Sequence, residues 1–376
     1  ATLYAGGVFT SIGGQSRNYI ASLSPSTGNA NTWNPNANSS VYELRVSGTT
    51  VYAGGAFTTI GGQSRASLAA LGSDGNASAW NPNASGASIS SIRVSGSTIY
   101  VGGTFSSLGG QSRNNAGAVN DTNGNATSWN PNADTTVSDI QIDGSQVYLG
   151  GSFTTIGGAS RPGLALVDDT NGTLDTGFNA SASASVNSMA ISGSNIYVGG
   201  SFVLFGSDKY TRNHAAAIDS TGALTSWDPN PGASSTVNAI AISGSTIYLG
   251  GAFSAIGGGS QNYLASVNTS GTLIAGWDPS INTTVTGLAL SGTTLFIAAG
   301  MSHTIGGQSR GHYSSVSTVT GTPTSWNPSG MVMGGGTDAL CVLGDTVYTS
   351  ANFTSMDSQS RNKLAAWTIS TGVITS

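Results

Sequence analysis

Three histidines (His214, His303, His312), one glutamate (Glu43) and one cysteine (Cys341) are nearly all that this 376-residue sequence offers for acid–base, metal or nucleophilic chemistry. A metal site needs two or three converging ligands at spacings such as His-x-x-x-His, and no such spacing occurs, so the histidines read as loop residues in solvent. There is no phosphate loop, glutamate pair or Cys-x-x-Cys. Most aspartates fall in turns such as Asp74-Gly75 and Asp143-Gly144. No catalytic centre, cofactor or metal is expected, and the chain reads as a non-enzyme. A hydrolase or lyase with a site over a central channel is the lesser alternative, and would need acidic or histidine side chains converging from distant copies.

Arginine and tryptophan recur instead. The arginine of the phrase Gln-Ser-Arg and its variants stands at Arg17, Arg65, Arg113, Arg161, Arg310 and Arg361, with Arg212 in the same place and Gln261 as a replacement. A guanidinium presents five donors in a fixed fork, suited to tying loop carbonyls together. Trp33, Trp80, Trp129, Trp227, Trp277 and Trp326 each precede Asn-Pro or Asp-Pro, and Phe178 fills that place once. Positions repeated in every copy read as scaffold: the indoles are expected to pack between repeats. Exposed aromatics stacking on sugars are the alternative.

A third set lies in strands of pattern Φ-x-x-Φ-x-Φ, where the residue between the last two apolar positions is in turn Arg45, Arg93, Gln141, Ala190, Ala241, Ala289 and Cys341. Glu43 and Arg45, two apart on one strand face, are expected to pair; a lopsided channel for a small anionic group is the alternative. Departures from the repeat mark candidate ligand or partner loops. Asp208, Lys209, Tyr210, Arg212 and His214 belong to the fifth copy, and His303 and His312 to the seventh, which also carries the insertion Met331 to Gly336.

The elements that position these residues come from one repeat. Tyr-x-Gly-Gly-x-Phe begins at Tyr4, Tyr52, Tyr100, Tyr148, Tyr197 and Tyr248 and continues in altered form at Phe296 and Tyr348, giving eight copies of roughly 48 residues over 1–376. Each copy reads as four short strands, for example from Val137, Gln146 and Leu164 and then the segment ending at Trp or Phe, separated by Asp143-Gly144, Gly157-Gly158 and Asn171-Gly172. The expected fold is all-β: a single β-propeller of eight blades with four antiparallel strands each. The Φ-x-x-Φ-x-Φ strand occurs seven times against eight Tyr-Gly-Gly strands. One blade is therefore short of a strand, or residues beyond these ends belong to the native protein, the reading favoured here.

At Leu-Ala-Ala-Leu, Thr-Gly and Trp the sequence resembles the tryptophan-docking blades of quinoprotein-like propellers. The Tyr-x-Gly-Gly-x-Phe phrase is similar to repeats of large secreted bacterial propellers and fungal cell-surface polarity markers. The resemblance implies the fold. The quinone-dependent activity of that family, which needs charged residues around cofactor and calcium, is not carried over to a chain with one cysteine and one glutamate.

Only 7% of residues are charged, against roughly 25% in average soluble proteins. Solubility therefore rests on Ser, Thr, Asn and Gly, which fits an extracellular or cell-surface protein. With 11 scattered Lys and Arg and a net charge of −5, nucleic acid is not an expected partner. No apolar run approaches the ~20 residues of a membrane span, so membrane insertion is not expected. The expected partners are other copies of itself or other surface proteins, with glycans as a further possibility, in a layer, sheath, filament or adhesin. Asn-x-Ser/Thr triplets at Asn38, Asn76, Asn83, Asn125, Asn179, Asn282 and Asn352 permit glycosylation without arguing for it.

Overall fold

The computed structural model describes residues 2–24, 27–86, 88–206, 210–232, 235–300, 302–328, 339–350, 355–357, 359–360, 364–371 and 374, without the side chains of 339, 350, 355, 359, 360 and 364. Among them every regular element is a strand. The chain divides into two compact units, Ala1–Pro25 with Asn29–Val186, and Asn187–Ser376 with Ser26–Gly28.

The first unit holds three antiparallel three-stranded sheets: Val41–Ser47, Thr50–Gly55 and Leu68–Leu71; Ser88–Ser95, Thr98–Thr104 and Ala116–Asn120; Val137–Asp143, Gln146–Gly151 and Leu164–Asp168. It also holds a two-stranded sheet, Leu3–Gly6 with Ile20–Leu23. The second unit repeats the pattern from Val186–Ser192, Val237–Ser243, Val285–Ser291 and Ala339–Leu343, each followed by its own second and third strands.

The spacing Φ-x-x-Φ-x-Φ is strand alternation interrupted by one residue. In the Val41–Ser47 strand the register slips between Val41 and Glu43, and the same bulge recurs after Ile89, Val137, Val237 and Val285. The extra residue returns the next apolar side chain to the core face, so Ile89 and Ile92, or Val137 and Ile140, are buried together. The bulge also explains the second glycine of Tyr-x-Gly-Gly. A Cβ at Gly55 would stand 2.1 Å from the Ser40 carbonyl oxygen, and the same contact is 2.1 Å at Gly103 and 2.2 Å at Gly151.

Two expectations are corrected. The fourth strand is reduced in every copy to a single bridge, such as Leu71↔Ala77, Val119↔Ala126 or Val267↔Leu273. The chain must then leave the sheet toward the next copy, and the proline after Trp-Asn has no N–H to extend a ladder. Ile-Gly-Gly-Gln-Ser is more than a turn: Thr59–Ile60 pairs with Gln63–Ser64 around Gly61-Gly62, whose φ values of 60° and 73° fit a two-residue hairpin turn.

The cores lie between successive sheets rather than within one. Tyr100, Ala118 and Trp129 of the third copy share one apolar cluster with Val137, Ile140, Leu149 and Val167 of the fourth.

Candidate functional site

The recurring tryptophans are buried, from Trp129 at 0% exposure to Trp33 at 6%. Each packs edge-on or tilted against the aromatic of its own copy: Tyr4–Trp33, Tyr52–Trp80, Tyr100–Trp129, Tyr197–Trp227, Tyr248–Trp277 and Phe296–Trp326, with centroids 4.9 to 5.3 Å apart. The indole N–H then reaches into the following copy. Trp33 donates to the Gly72 carbonyl, Trp80 to Asn120, Trp129 to Asp168, Trp227 to Asn268 and Trp277 to Ser317, at 2.7 to 3.0 Å. The proline two residues on completes a clasp: the Gly61, Gly109 and Gly157 amides donate to the carbonyls of Pro35, Pro82 and Pro131. These rings are covered on all sides and cannot stack on a sugar.

The next residue of the clasp takes a left-handed conformation, at Asn36, Asn83, Asn132, Asn230 and Ser280, with φ between 46° and 53°. Asparagine is the non-glycine residue best suited to that region, which gives the Asn of Trp-Asn-Pro-Asn a role that the sequence reading lacked.

The arginines tie each hairpin to the segment before the tryptophan. Arg17 donates to the Ser16 and Asn31 carbonyls, Arg113 to Ser112 and Thr127, Arg161 to Ser160 and Thr176, and Arg310 to Ser309 and Thr324. Arg65 does the same with Ser64 and Ser78. Arg212 adds an ion pair with Asp228 at 3.3 Å to its bonds with Thr211 and Thr225. Gln261 keeps one tie, to the Trp277 carbonyl.

The ionisable side chains that come together are on the first strands of the second to fourth copies. Arg45 pairs with Glu43 at 3.0 Å, Glu43 with Arg93 at 3.4 Å, Arg93 with Asp139 at 2.8 Å, and the Gln141 amide donates to Asp139. Both guanidinium groups also donate to the Ile92 carbonyl. This is a ladder of alternating sign whose two cations and two anions balance. Burial raises the Glu43 carboxyl above its ordinary range despite Arg45 and Arg93, and raises Asp139 despite Gln141 and Arg93. Burial likewise lowers Arg93. Desolvation thus outweighs pairing, as is common for ion pairs withdrawn from water. The expected Glu43–Arg45 pair is present, while Asp139 was missed by a reading that placed aspartates in turns. Asp139 occupies the third position of Φ-x-x-Φ-x-Φ, as Glu43 does, and comparing that position across copies would have found it.

The histidines are a correction. His214, His303 and His312 are buried, at 3%, 2% and 7% exposure, rather than in solvent. His214 occupies the left-handed entry to the third strand (φ 61°), the position of Tyr19, Ser67 and Tyr263. His303 Nε2 lies 3.0 Å from Ser314 Oγ, and burial lowers its pKa to about 4. His312 packs edge-on to Tyr313. His303 and Arg310 face each other across the seventh-copy hairpin, whereas Tyr210, 53% exposed, lies on the fifth-copy hairpin. Among the described residues no three His, Cys, Asp or Glu side chains are placed to hold a metal. Asp208, Lys209, Arg361, Asn352 and Met331 to Gly336 lie outside the described residues. Cys341 is exposed.

A family model described as a domain of unknown function (DUF5122) β-propeller matches residues 145–178, the core of the fourth copy. These are β-propeller repeats. No curated protein matches the chain. Among solved structures, the computationally designed Ika8 protein is similar at a TM-score of 0.58 and 13% identity, over 89% of this chain and 85% of that one. A chain of a mitotic checkpoint complex is similar at 0.52 and 15%, over 93% and 88%. BamB from Moraxella catarrhalis gives 0.49 and 13%, over 89% and 95%. At such identities the first two likenesses concern the fold alone.

Proposed function

We propose that this chain is a non-enzymatic interaction scaffold of an extracellular or cell-surface assembly, built as an eight-bladed propeller of the tryptophan-docking, quinoprotein-like kind. The observation that carries this reading is where the ionisable groups are spent. The described hairpin arginines hold loop carbonyls, and Glu43, Arg93 and Asp139 neutralise one another. Asp134, Asp168 and Asp219 accept bonds from nearby loop amides. The hairpin tips present neutral Gln15, Gln63 and Gln111, all exposed. A surface of uncharged hydrogen-bonding groups suits close packing against copies of itself or other surface proteins, because it removes the cost of desolvating charge. Glycan binding would have to rest on Tyr42 and Tyr210, the exposed tyrosines among the described residues.

Electron microscopy of the native, unfractionated protein tests the proposal. Regular polymers or sheets are expected. Dispersed single particles, even when mixed with the surface fraction of the source cells, would overturn it.

A further inference from the structure

The first six copies each bury a phenylalanine three residues before the apolar residue that leads into the hairpin turn: Phe9, Phe57, Phe105, Phe153, Phe202 and Phe253. The seventh has Ser302 at that spacing, exposed, and buries His303 instead. The third-strand residue that His303 meets is changed as well: Ser314 stands where the first six copies have alanine or, at Gly117, glycine. A titratable ring with a polar partner thus replaces an inert one, in a hairpin held by the same bonds as its counterpart in the second copy. The Gly306 amide donates to the Pro279 carbonyl and the Thr304 amide to Asn282 Oδ1, just as Gly61 donates to Pro35 and Thr59 to Asn38 Oδ1.

The surroundings of His303 favour the neutral ring. Arg310 faces it across the hairpin, His312 lies on the segment leading into the third strand, and both oppose a positive charge on it. Among the described residues Arg310 bonds to no carboxylate, donating to the Ser309 and Thr324 carbonyls and to Gln308. The first strand Val285–Ser291 and the second strand Thr294–Ala299 bring no ionisable group, and the third brings the Tyr313 phenol. The sixth copy brings the Tyr263 phenol and, on its clasp, Asp278, which is exposed and accepts the Ser280 amide. A proton on His303 is therefore buried beside like charge without a counter-ion. We propose that the seventh-copy hairpin, His303–Ile305 with Gln308–Arg310, is an acid-operated latch: protonation of His303 releases it from the sixth-copy clasp while the other hairpins stay closed. The bonds given up are those of Gly306 to Pro279 and Thr304 to Asn282, so the junction between the sixth and seventh copies loosens first in acid. The closed hairpin holds the His303 pKa down from 6.5 to about 4. The open form takes the proton first, and opening grows as pH falls from 6.5 and levels off below 4. This inference stands apart from the assembly reading above, since the latch works in a single chain.

The test is amide hydrogen exchange on the whole protein, read as protection factors at pH 7.5 and pH 5. Protection at Thr304 and Gly306 is expected to drop about thirtyfold between the two, while Thr59 and Gly61 of the second copy keep theirs. In His303→Phe, which restores the ring of the other copies, Thr304 and Gly306 should become as insensitive to pH as Thr59 and Gly61. Parallel losses at both hairpins, no loss at either, or a loss at Thr304 and Gly306 that persists in His303→Phe would each overturn the proposal. The two hairpins are compared within the native protein, so the comparison decides even if the variant does not fold.

Discussion

The indole N–H of Trp129 donates to the Asp168 carbonyl at 2.8 Å, joining a tryptophan from one β-propeller repeat to the turn of the next. Trp129→Phe keeps the contact with Tyr100 but removes the donor, reproducing the chemistry that Phe178 already has in the fourth copy. The expected cost is about 1 to 2 kcal/mol, a lost hydrogen bond that leaves a carbonyl behind. Trp129→Ala should cost roughly 3 to 5 kcal/mol. Urea unfolding of the two variants separates bond from packing; a Trp129→Phe variant as stable as the native protein would show that the bond contributes nothing.

In the charge ladder, Arg93 touches both carboxylates while Arg45 is 43% exposed at its side chain. Arg93→Ala is expected to destabilise by about 2 to 3 kcal/mol, below the full figure for a buried pair because its groups retain some solvent. Arg45→Ala should cost under ~1 kcal/mol. Replacing Glu43, Arg93 and Asp139 together by alanine should cost less than Arg93→Ala alone, since the one charge left without its carboxylate is Arg45, which is partly in solvent. Chemical denaturation of all three variants checks the order.

His303 makes stability depend on pH in a defined window. Its folded pKa, lowered from 6.5 to about 4, means that the unfolded chain takes up the proton first. Its contribution is complete above pH 6.5 and is lost as pH falls toward 4, by about 3 kcal/mol in all. His303→Gln, which can hydrogen-bond Ser314 without titrating, should flatten the pH profile of the unfolding midpoint between those values. An unchanged slope would remove His303 as its source.

Two glycines separate steric from conformational need. Gly55→Ala places a Cβ 2.1 Å from the Ser40 carbonyl oxygen, so the bulge must move, at a cost expected to exceed ~2 kcal/mol. Gly48 has φ 58° with nothing within 4 Å of an added Cβ. Gly48→Ala should cost only about 1 kcal/mol, and Gly48→Asn less. Thermal melts of the three variants compare these costs directly.

The sequence was most informative where one physical demand recurs in every copy. Tyr52, Gly55 and Trp80 return at fixed spacing because the bulge and the clasp each need one residue type, and the all-β architecture could be read from them. The hairpin around Gly157-Gly158 reads in the sequence as a turn because arms of two residues are too short to show periodicity. The fourth strand was overcounted because the apolar residue at Leu174 marks one bridge, not a ladder. At the ladder, Glu43 and Arg45 were legible as neighbours on one strand. Its extension to Arg93 and Asp139 was not, since those partners are about 50 and 96 residues from Glu43 along the chain, and only the lateral packing of first strands brings them together. The buried contact of His303 with Ser314 was not legible because that place in the third strand holds alanine in the other copies, or glycine at Gly117.

Five of the clasps have the same donor, a tryptophan N–H, and the same acceptor, a turn carbonyl, one copy apart. If the gene lost one copy in frame, the tryptophan of the preceding copy would meet the turn carbonyl of the following one, and the local junction would be restored whole. The number of copies is therefore free to drift by recombination without any junction becoming unmatched. A change of length within a copy breaks two junctions at once, because each tryptophan belongs in sequence to one repeat and in bonding to the next.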